Sequence, residues 1–311
     1  MNDLFKKYIA NPILSPSGTD WESMAVMTPA VIVENGVFYM IYRGDDWTWA
    51  RYERKQQLPA YLAKIRSWKQ KKRGGWAHLG LAISCDGINF ERYSGNPIMT
   101  PQYKWEKPWG CEDPRIIRIK ETYVLTYRAG GAQIALATSK DLINWDKKGI
   151  ALPSWNSTNS GAILSERVKG KYVMYHGDSN IWVAYSEDLL NWRSPREPIM
   201  TPREGYFDSE LVEPGPPPIM TEDGILLIYH GKNKATQAYC LGKVLFSKDD
   251  PSRILYRSSE PILQPTKEWE INGKEYNVIF STGLVNYQNT WYLYYGGADT
   301  HIGVAMCNEK I

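Results

Sequence analysis

One local pattern recurs five times along this chain: an aromatic-rich stretch ending in Tyr and a short Gly-containing step. It reads FYMIYRG (38–44), YVLTYRAG (123–130), YVMYHG (172–177), LLIYHG (226–231) and WYLYYGG (291–297). A second pattern follows each copy: LGLAISCDGINF (79–90), IALATSKDLINW (134–145), IWVAYSEDLLNW (181–192), LGKVLFSKDD (241–250) and HIGVAMCNEK (301–310). A proline-flanked turn recurs as NPILSP (11–16), NPIMTP (96–101), EPIMTP (197–202) and EPILQP (260–265), with a degenerate copy, GIALP, at 149–153. Self-similarity at this spacing is the signature of a repeat architecture. Each unit holds three or four short strands of alternating polarity, separated by Gly, Pro, Asn and Asp turns. Radial repetition of such sheets gives an all-β, five-bladed β-propeller with a central channel. An open solenoid is the rival, and neither end of the chain reads as a polar capping repeat. The first unit lacks a strand before NPILSP and the last ends soon after HIGVAM, so one terminus is expected to lend a strand to the other's blade.

The terminal Tyr of the first pattern falls at 42, 127, 175, 229 and 295, leaving intervals of 85, 48, 54 and 66 residues. The long first interval implies an insertion in the first blade at 46–76. Within it, residues 50–75 are rich in Lys, Arg, Gln and Leu and end at Gly74-Gly75, a helix C-cap signal, while Pro59 suits the first turn of a second helix. This basic segment reads either as a solvated surface hairpin or as a lid or homo-oligomer contact, because it follows a strand end where binding loops gather. The whole chain, 1–311, is expected to be one propeller domain carrying this helical insertion.

Thirteen Trp and 21 Tyr against 6 Phe mean that most rings carry a polar handle. Such rings suit a site both apolar and wet, as a sugar site is, although Trp and Tyr also fill strand faces in all-β cores. The net charge is +3 with no long basic block, which argues against nucleic-acid binding. No run of 18 apolar residues is present, so no membrane span is expected. The N-terminus lacks an apolar signal core, and Cys85, Cys111, Cys240 and Cys307 form no CxxC pair, which points to a reduced, cytoplasmic protein. No P-loop, Rossmann fingerprint, HExxH or GxSxG appears, the four His are scattered, and neither a metal nor a cofactor is expected.

Acidic residues stand where the repeated strand runs into a loop: Asp45 after YRG, Asp178 after YHG and Asp299 after GGA. In a propeller, equivalent positions converge on one end of the channel, and a ring of carboxylates there suits hydroxyl recognition and acid–base work. Capping of turns by Asp is the plain alternative at any single position. Two segments break the repeat. WGCEDPRII (109–117) places Glu112, Asp113 and Arg115 in a proline-stiffened stretch. SELVEPGPPPI (209–219) places Glu210 and Glu213 ahead of a rigid Gly-Pro run, where φ is fixed by the ring. Rigid carriage of a carboxylate suits catalysis.

At these residues the chain resembles glycoside hydrolase family 130, the β-mannoside phosphorylases and related mannosidases. The likeness runs through NPIL, YRGD, GLAISCDGINF, GCEDPRI, IALATSKDLINW, GKYVMYHG, GPPPIMTEDGILLIYHG, VIFSTG and YYGGADTHIGVA, with EDPR the most specific. It implies a five-bladed propeller acting on an oligosaccharide, with Asp113 as general acid. In the phosphorylases inorganic phosphate is the co-substrate and attacks with inversion, held by Arg, Lys and His. This chain departs from that pattern. It has Trp76-Ala77-His78 where phosphorylases carry an Arg, Asn159 and Ser160 where they carry a Lys, and His176-Gly177 where they carry His-Arg. Glu213 stands where they tend to have Gly, and a carboxylate there would repel phosphate but could deprotonate water. The resemblance with these departures predicts an inverting β-mannosidase, of the β-1,2 type. Asp113 would act as acid, Glu213, with Glu270 of KEWEING, as base, and Arg43, Asp45, Glu112, Arg115, His176, Asp178, His230 and Asp299 would bind hydroxyls. The alternatives are a phosphorylase using Lys232, Arg43, Arg115 and Arg128 as cations, a non-catalytic glycan-binding propeller, and a protein scaffold.

Overall fold

The computed structural model describes residues 4–18, 20–46, 77–153, 159–309 and 311. The insertion expected at 46–76 therefore lies, but for Asp46, outside the described residues. The strands run in chain order. After β1 (Lys6–Lys7), the first blade comprises β2 (Ala25–Glu34), β3 (Val37–Asp45), β4 (His78–Ser84) and β5 (Glu91–Arg92). The second holds β6 (Cys111–Ile119), β7 (Thr122–Ala129), β8 (Gln133–Ser139) and β9 (Asp146–Leu152), and the third β10 (Ser160–Ile163), β11 (Tyr172–Gly177) and β12 (Trp182–Ser186). The fourth is built from β13 (Leu211–Pro214), β14 (Ile219–Met220), β15 (Ile225–Lys232), β16 (Tyr239–Phe246) and β17 (Ile254–Arg257). The fifth has β18 (Ile279–Tyr287), β19 (Thr290–Gly297) and β20 (His301–Cys307). Every pairing within these sheets is antiparallel.

Ring closure takes the expected form. β1 pairs with β20, so the N-terminus supplies the outer strand of the last blade. The apolar residues then sort into five clusters, each between two successive blades. Ile41, Leu79, Leu125 and Tyr127 join the first to the second, and Val26, Tyr42, Tyr294 and Val304 join the fifth to the first. Because the fifth blade packs on the first, no sheet face is left as an end, which separates a closed propeller from an open solenoid.

In four blades the sheet is locked by a repeated dyad, an aromatic residue followed by an acid: Trp21-Glu22, Trp105-Glu106, Phe207-Asp208 and Trp269-Glu270. The ring lies on the blade's central strands, where glycines give it room. A Cβ at Gly44 or Gly80 would strike Trp21, and one at Gly297 or Gly303 would strike Trp269. The acid accepts a hydrogen bond from the repeat tyrosine, at 2.8 Å for Tyr42–Glu22, 3.0 Å for Tyr127–Glu106, 2.6 Å for Tyr229–Asp208 and 2.8 Å for Tyr295–Glu270. It also pairs with a cation from the blade's outer strand: Arg92 at 2.6 Å, Lys147 at 2.5 Å, Arg257 at 2.6 Å and Lys7 of β1 at 2.5 Å. Glu270 is thus the fifth blade's copy of a structural clamp. It is fully buried, its oxygens accept hydrogen bonds from Lys7, Tyr295 and the backbone N–H groups of Thr266 and Lys267, and its expected role as a base is corrected accordingly.

Candidate active site

The ends of the second strands and the starts of the first strands meet at one end of the channel. There they surround a funnel of about 640 Å³ lined by Arg43, Asp113, Asp178, Glu213, Tyr239 and Asp299, among others. The size is that of a small-molecule site. Asp113 owes its position to a β-bulge. The β6–β7 register slips between Glu112 and Arg115, and Asp113 takes a left-handed φ of 48° ahead of Pro114. The first blade repeats this feature at Thr28-Pro29, with a slip between Met27 and Ala30 and φ 48° at Thr28. A left-handed β-branched residue is an outlier that the surrounding structure must impose, and such positions gather at functional sites.

Arg43 organises one wall. Its guanidinium meets Asp45 at 3.0 Å, Glu112 at 3.0 Å and Asp113 at 3.3 Å, and Lys274 meets Asp45 at 2.9 Å. Burial alone would raise the Asp45 carboxyl, but Arg43 and Lys274 hold it well below the usual range. Burial does raise Glu112, against the pull of Arg43 and Arg128. Asp299 is pushed by burial up to about 6, with Lys274 and Arg43 opposing.

The other wall carries Glu213. Its position next to Pro214 and opposite His230 in β15 fixes the backbone. Ser160 donates to Oε1 and Tyr239 donates to Oε2 at 2.9 Å. Burial pushes this carboxyl up to about 7, with Arg115 and the Ser160 hydroxyl pulling it down. A carboxyl poised near neutrality can exchange protons at physiological pH, as a general base must.

The structure brings together most of the residues expected at the site, but not in one role. Arg43, Asp113, Asp178, Glu213 and Asp299 line the funnel. Asp45 and Glu112 are buried behind it and act on Arg43. Three expected hydroxyl-binding residues are corrected, because each is closed off by packing. Arg115 is 2% exposed and gives its N–H groups to Gly215 O, Asp113 O, Ser160 and Pro214 O. His176 stacks on Trp182, bonds Ser194 at 2.7 Å and is pushed down by burial to about 4. His230 lies fully buried against Phe280 with Nε2 at the Ser281 backbone, and burial holds it neutral. Tyr239, which lines the funnel, and Lys274, which pairs with Asp45, escaped the sequence reading. Tyr239 holds Glu213; its signal is an aromatic at the repeat position filled by Ala77 in the first blade, both bridging to the next blade. Lys274 belongs to none of the repeated motifs and gains meaning through Asp45, 229 residues away in sequence. Among the described residues, no group of three His, Cys, Asp or Glu is placed to hold a metal ion.

A family model described as glycoside hydrolase family 130, β-1,4-mannooligosaccharide phosphorylase, matches residues 66–311. The chain belongs to glycoside hydrolase family 130. A 1,2-β-oligomannan phosphorylase of Thermoanaerobacter sp. (strain X514) is 40% identical over 98% of this chain and 97% of that protein. A β-1,2-mannobiose phosphorylase of the same strain is 39% identical over 96% of this chain and 95% of that one. Among solved structures, one described by the words "The GH130 family of mannoside phosphorylases contains glycoside hydrolases that target beta-1,2 mannosidic linkages in Candida mannan" is similar at a TM-score of 0.85. It is 32% identical and covers 99% of this chain and 94% of that one.

Proposed function

We propose that this family 130 chain cleaves β-mannosidic linkages in oligosaccharides with inversion, of the β-1,2 type. The linkage follows the relatives that match nearly the whole chain, whose names specify β-1,2, in preference to the β-1,4 wording of the family model. Asp113 acts as the acid toward the leaving sugar, directly or through a substrate hydroxyl. Asp178 and Asp299, which line the funnel, bind hydroxyls of the sugar ring.

Two acceptors are open, phosphate and water. The names of the relatives favour phosphate. We infer hydrolysis, with water as the acceptor. The observation that carries it is Glu213, a buried carboxyl at the funnel wall pushed up to about 7. Its negative form opposes a phosphate dianion and suits removal of a proton from water. The cations lining the funnel add to this among the described residues. Arg43 and Arg128 lie within 4.0 Å of Glu112 and Asp113, and Lys232 meets Glu210 at 2.9 Å. Phosphate binding calls for cations free to face it.

Incubation with β-1,2-mannobiose, with and without inorganic phosphate, separates the two. Free mannose formed at the same rate in both is the expected result. Mannose 1-phosphate formed only with phosphate would establish phosphorolysis, and absence of any cleavage would overturn the assignment to β-1,2-mannosides.

A further inference from the structure

We propose that Arg115 is a positioning residue that sets the separation of the acid and base segments and, through Ser160, fixes the hydrogen-bond polarity at Glu213. This rests on the reading of Asp113 and Glu213 as acid and base. Arg115 belongs to β6 of the second blade, two residues beyond Asp113. Its Nη1 donates to the Asp113 carbonyl at 3.1 Å. In the fourth blade, Nη2 donates to the Pro214 carbonyl at 2.7 Å and Nε to the Gly215 carbonyl at 2.7 Å. Nη2 also donates to Ser160 Oγ of the third blade at 2.8 Å. One planar guanidinium therefore spans three consecutive blades, joining the backbone that carries Asp113 to the backbone directly after Glu213. A fork of fixed geometry converts blade-to-blade packing into a set distance between two carboxylates, which a flexible ammonium would not do.

The polarity follows from the donor inventory. A guanidinium has no acceptor, so Ser160 Oγ accepts from Arg115. The single hydroxyl proton of Ser160 is then left for its other partner, Glu213 Oε1. Tyr239 donates to Oε2 at 2.9 Å, and its own backbone N–H is anchored on the Asn277 carbonyl at 2.9 Å. Glu213 is thus held as an acceptor on both oxygens, the form in which it can take a proton. Burial works against that form, and the Arg115–Ser160 and Tyr239 donors oppose burial.

The test is the pH dependence of kcat and kcat/KM on β-1,2-mannobiose for the parent, Ser160→Ala, Arg115→Lys and Glu213→Gln. Loss of the Ser160 donor destabilises the Glu213 anion. The acidic limb of Ser160→Ala should therefore move to higher pH by about one unit, the worth of one hydrogen bond to a charged group. Arg115→Lys should lower kcat at least about tenfold with a smaller change in KM, because what is lost is alignment of the reacting groups. Should Arg115→Lys fail to fold, the limb of Ser160→Ala still decides. A limb that stays in place in Ser160→Ala, with Glu213→Gln inactive, overturns the positioning role and leaves the base assignment standing. Full activity in Glu213→Gln overturns the base assignment and this inference with it.

Discussion

Glu213 and Glu270 are both buried glutamates, each beside a tyrosine hydroxyl and each plausible as a base from sequence, and the fold gives them opposite work. Glu270 takes four donors, among them the Lys7 ammonium at 2.5 Å, and has no face on the funnel. Glu213 takes two neutral hydroxyls, has Arg115 behind one of them, and opens on the funnel. A carboxylate whose lone pairs are all spent on fixed donors is part of the scaffold. One that is desolvated but under-compensated keeps an affinity for protons, and that is a chemical property.

The largest expected effect breaks this comparison directly. Glu213→Gln should lower kcat/KM by about 10²–10⁴-fold, the usual worth of a general base, with the thermal midpoint kept or raised. Glu270→Gln should do the reverse. It removes one partner of a buried ion pair and leaves Lys7 against a neutral amide, a loss of about 3–5 kcal/mol of stability, while kcat/KM of the folded fraction stays close to the parent. Activity assays and thermal melts on the two variants check both arms. Equal activity losses would return Glu270 to the site.

The pH dependence of stability sharpens the same contrast. Burial pushes the folded Glu213 carboxyl up from its usual 4.5 to about 7. Between those values the folded protein holds a proton that the unfolded chain has released, so this group makes the fold less stable as pH rises through that window. The span corresponds to about 3 kcal/mol. The difference in unfolding free energy between Glu213→Gln and the parent, from denaturant titrations, should therefore move in favour of the variant from pH 4.5 to 7 and level off above. A flat difference would mean that burial does not raise this carboxyl.

The fold was legible because its signals are local and repeated. An aromatic strand ending in Tyr, an Asp-rich turn after the next strand and an x-Pro-Ile-x-x-Pro turn each state one piece of a blade, and the five copies of the Tyr-ended strand state the ring. Strand exchange at the termini was readable for the same reason, as a strand missing at one end. Asp113 and Glu213 were legible because each breaks the repeat beside a proline. The burial of His176 and His230 was not, because each follows the repeat tyrosine, as Arg43 and Arg128 do where they line the funnel. Whether such a residue points into water or into a neighbouring blade depends on the packing between sheets, which no single repeat contains. Glu270 was misread for a related reason. Its Trp-Glu dyad is present in sequence three more times in near-equivalent form, but loops of unequal length hide the spacing.

The third blade tests how far the clamp itself matters. Its sequence carries Trp155-Asn156 where the other blades carry an aromatic–acid dyad, though these two residues lie outside the described ones. Its repeat tyrosine, Tyr175, donates instead to the Pro251 carbonyl at 3.0 Å. Tyr175→Phe gives up one neutral hydrogen bond to a backbone carbonyl of Pro251, a residue at the edge of a cleft. That change should cost about 0.5–1.5 kcal/mol. Tyr295→Phe takes a donor from a fully buried carboxylate, and about 1–3 kcal/mol is expected. Unfolding free energies for the two variants give the ordering. If Tyr175→Phe costs as much as Tyr295→Phe, the acid contributes little beyond an acceptor. The clamp is then a matter of ring packing under the glycines, and the contrast between Glu270 and Glu213 rests on exposure to the funnel alone.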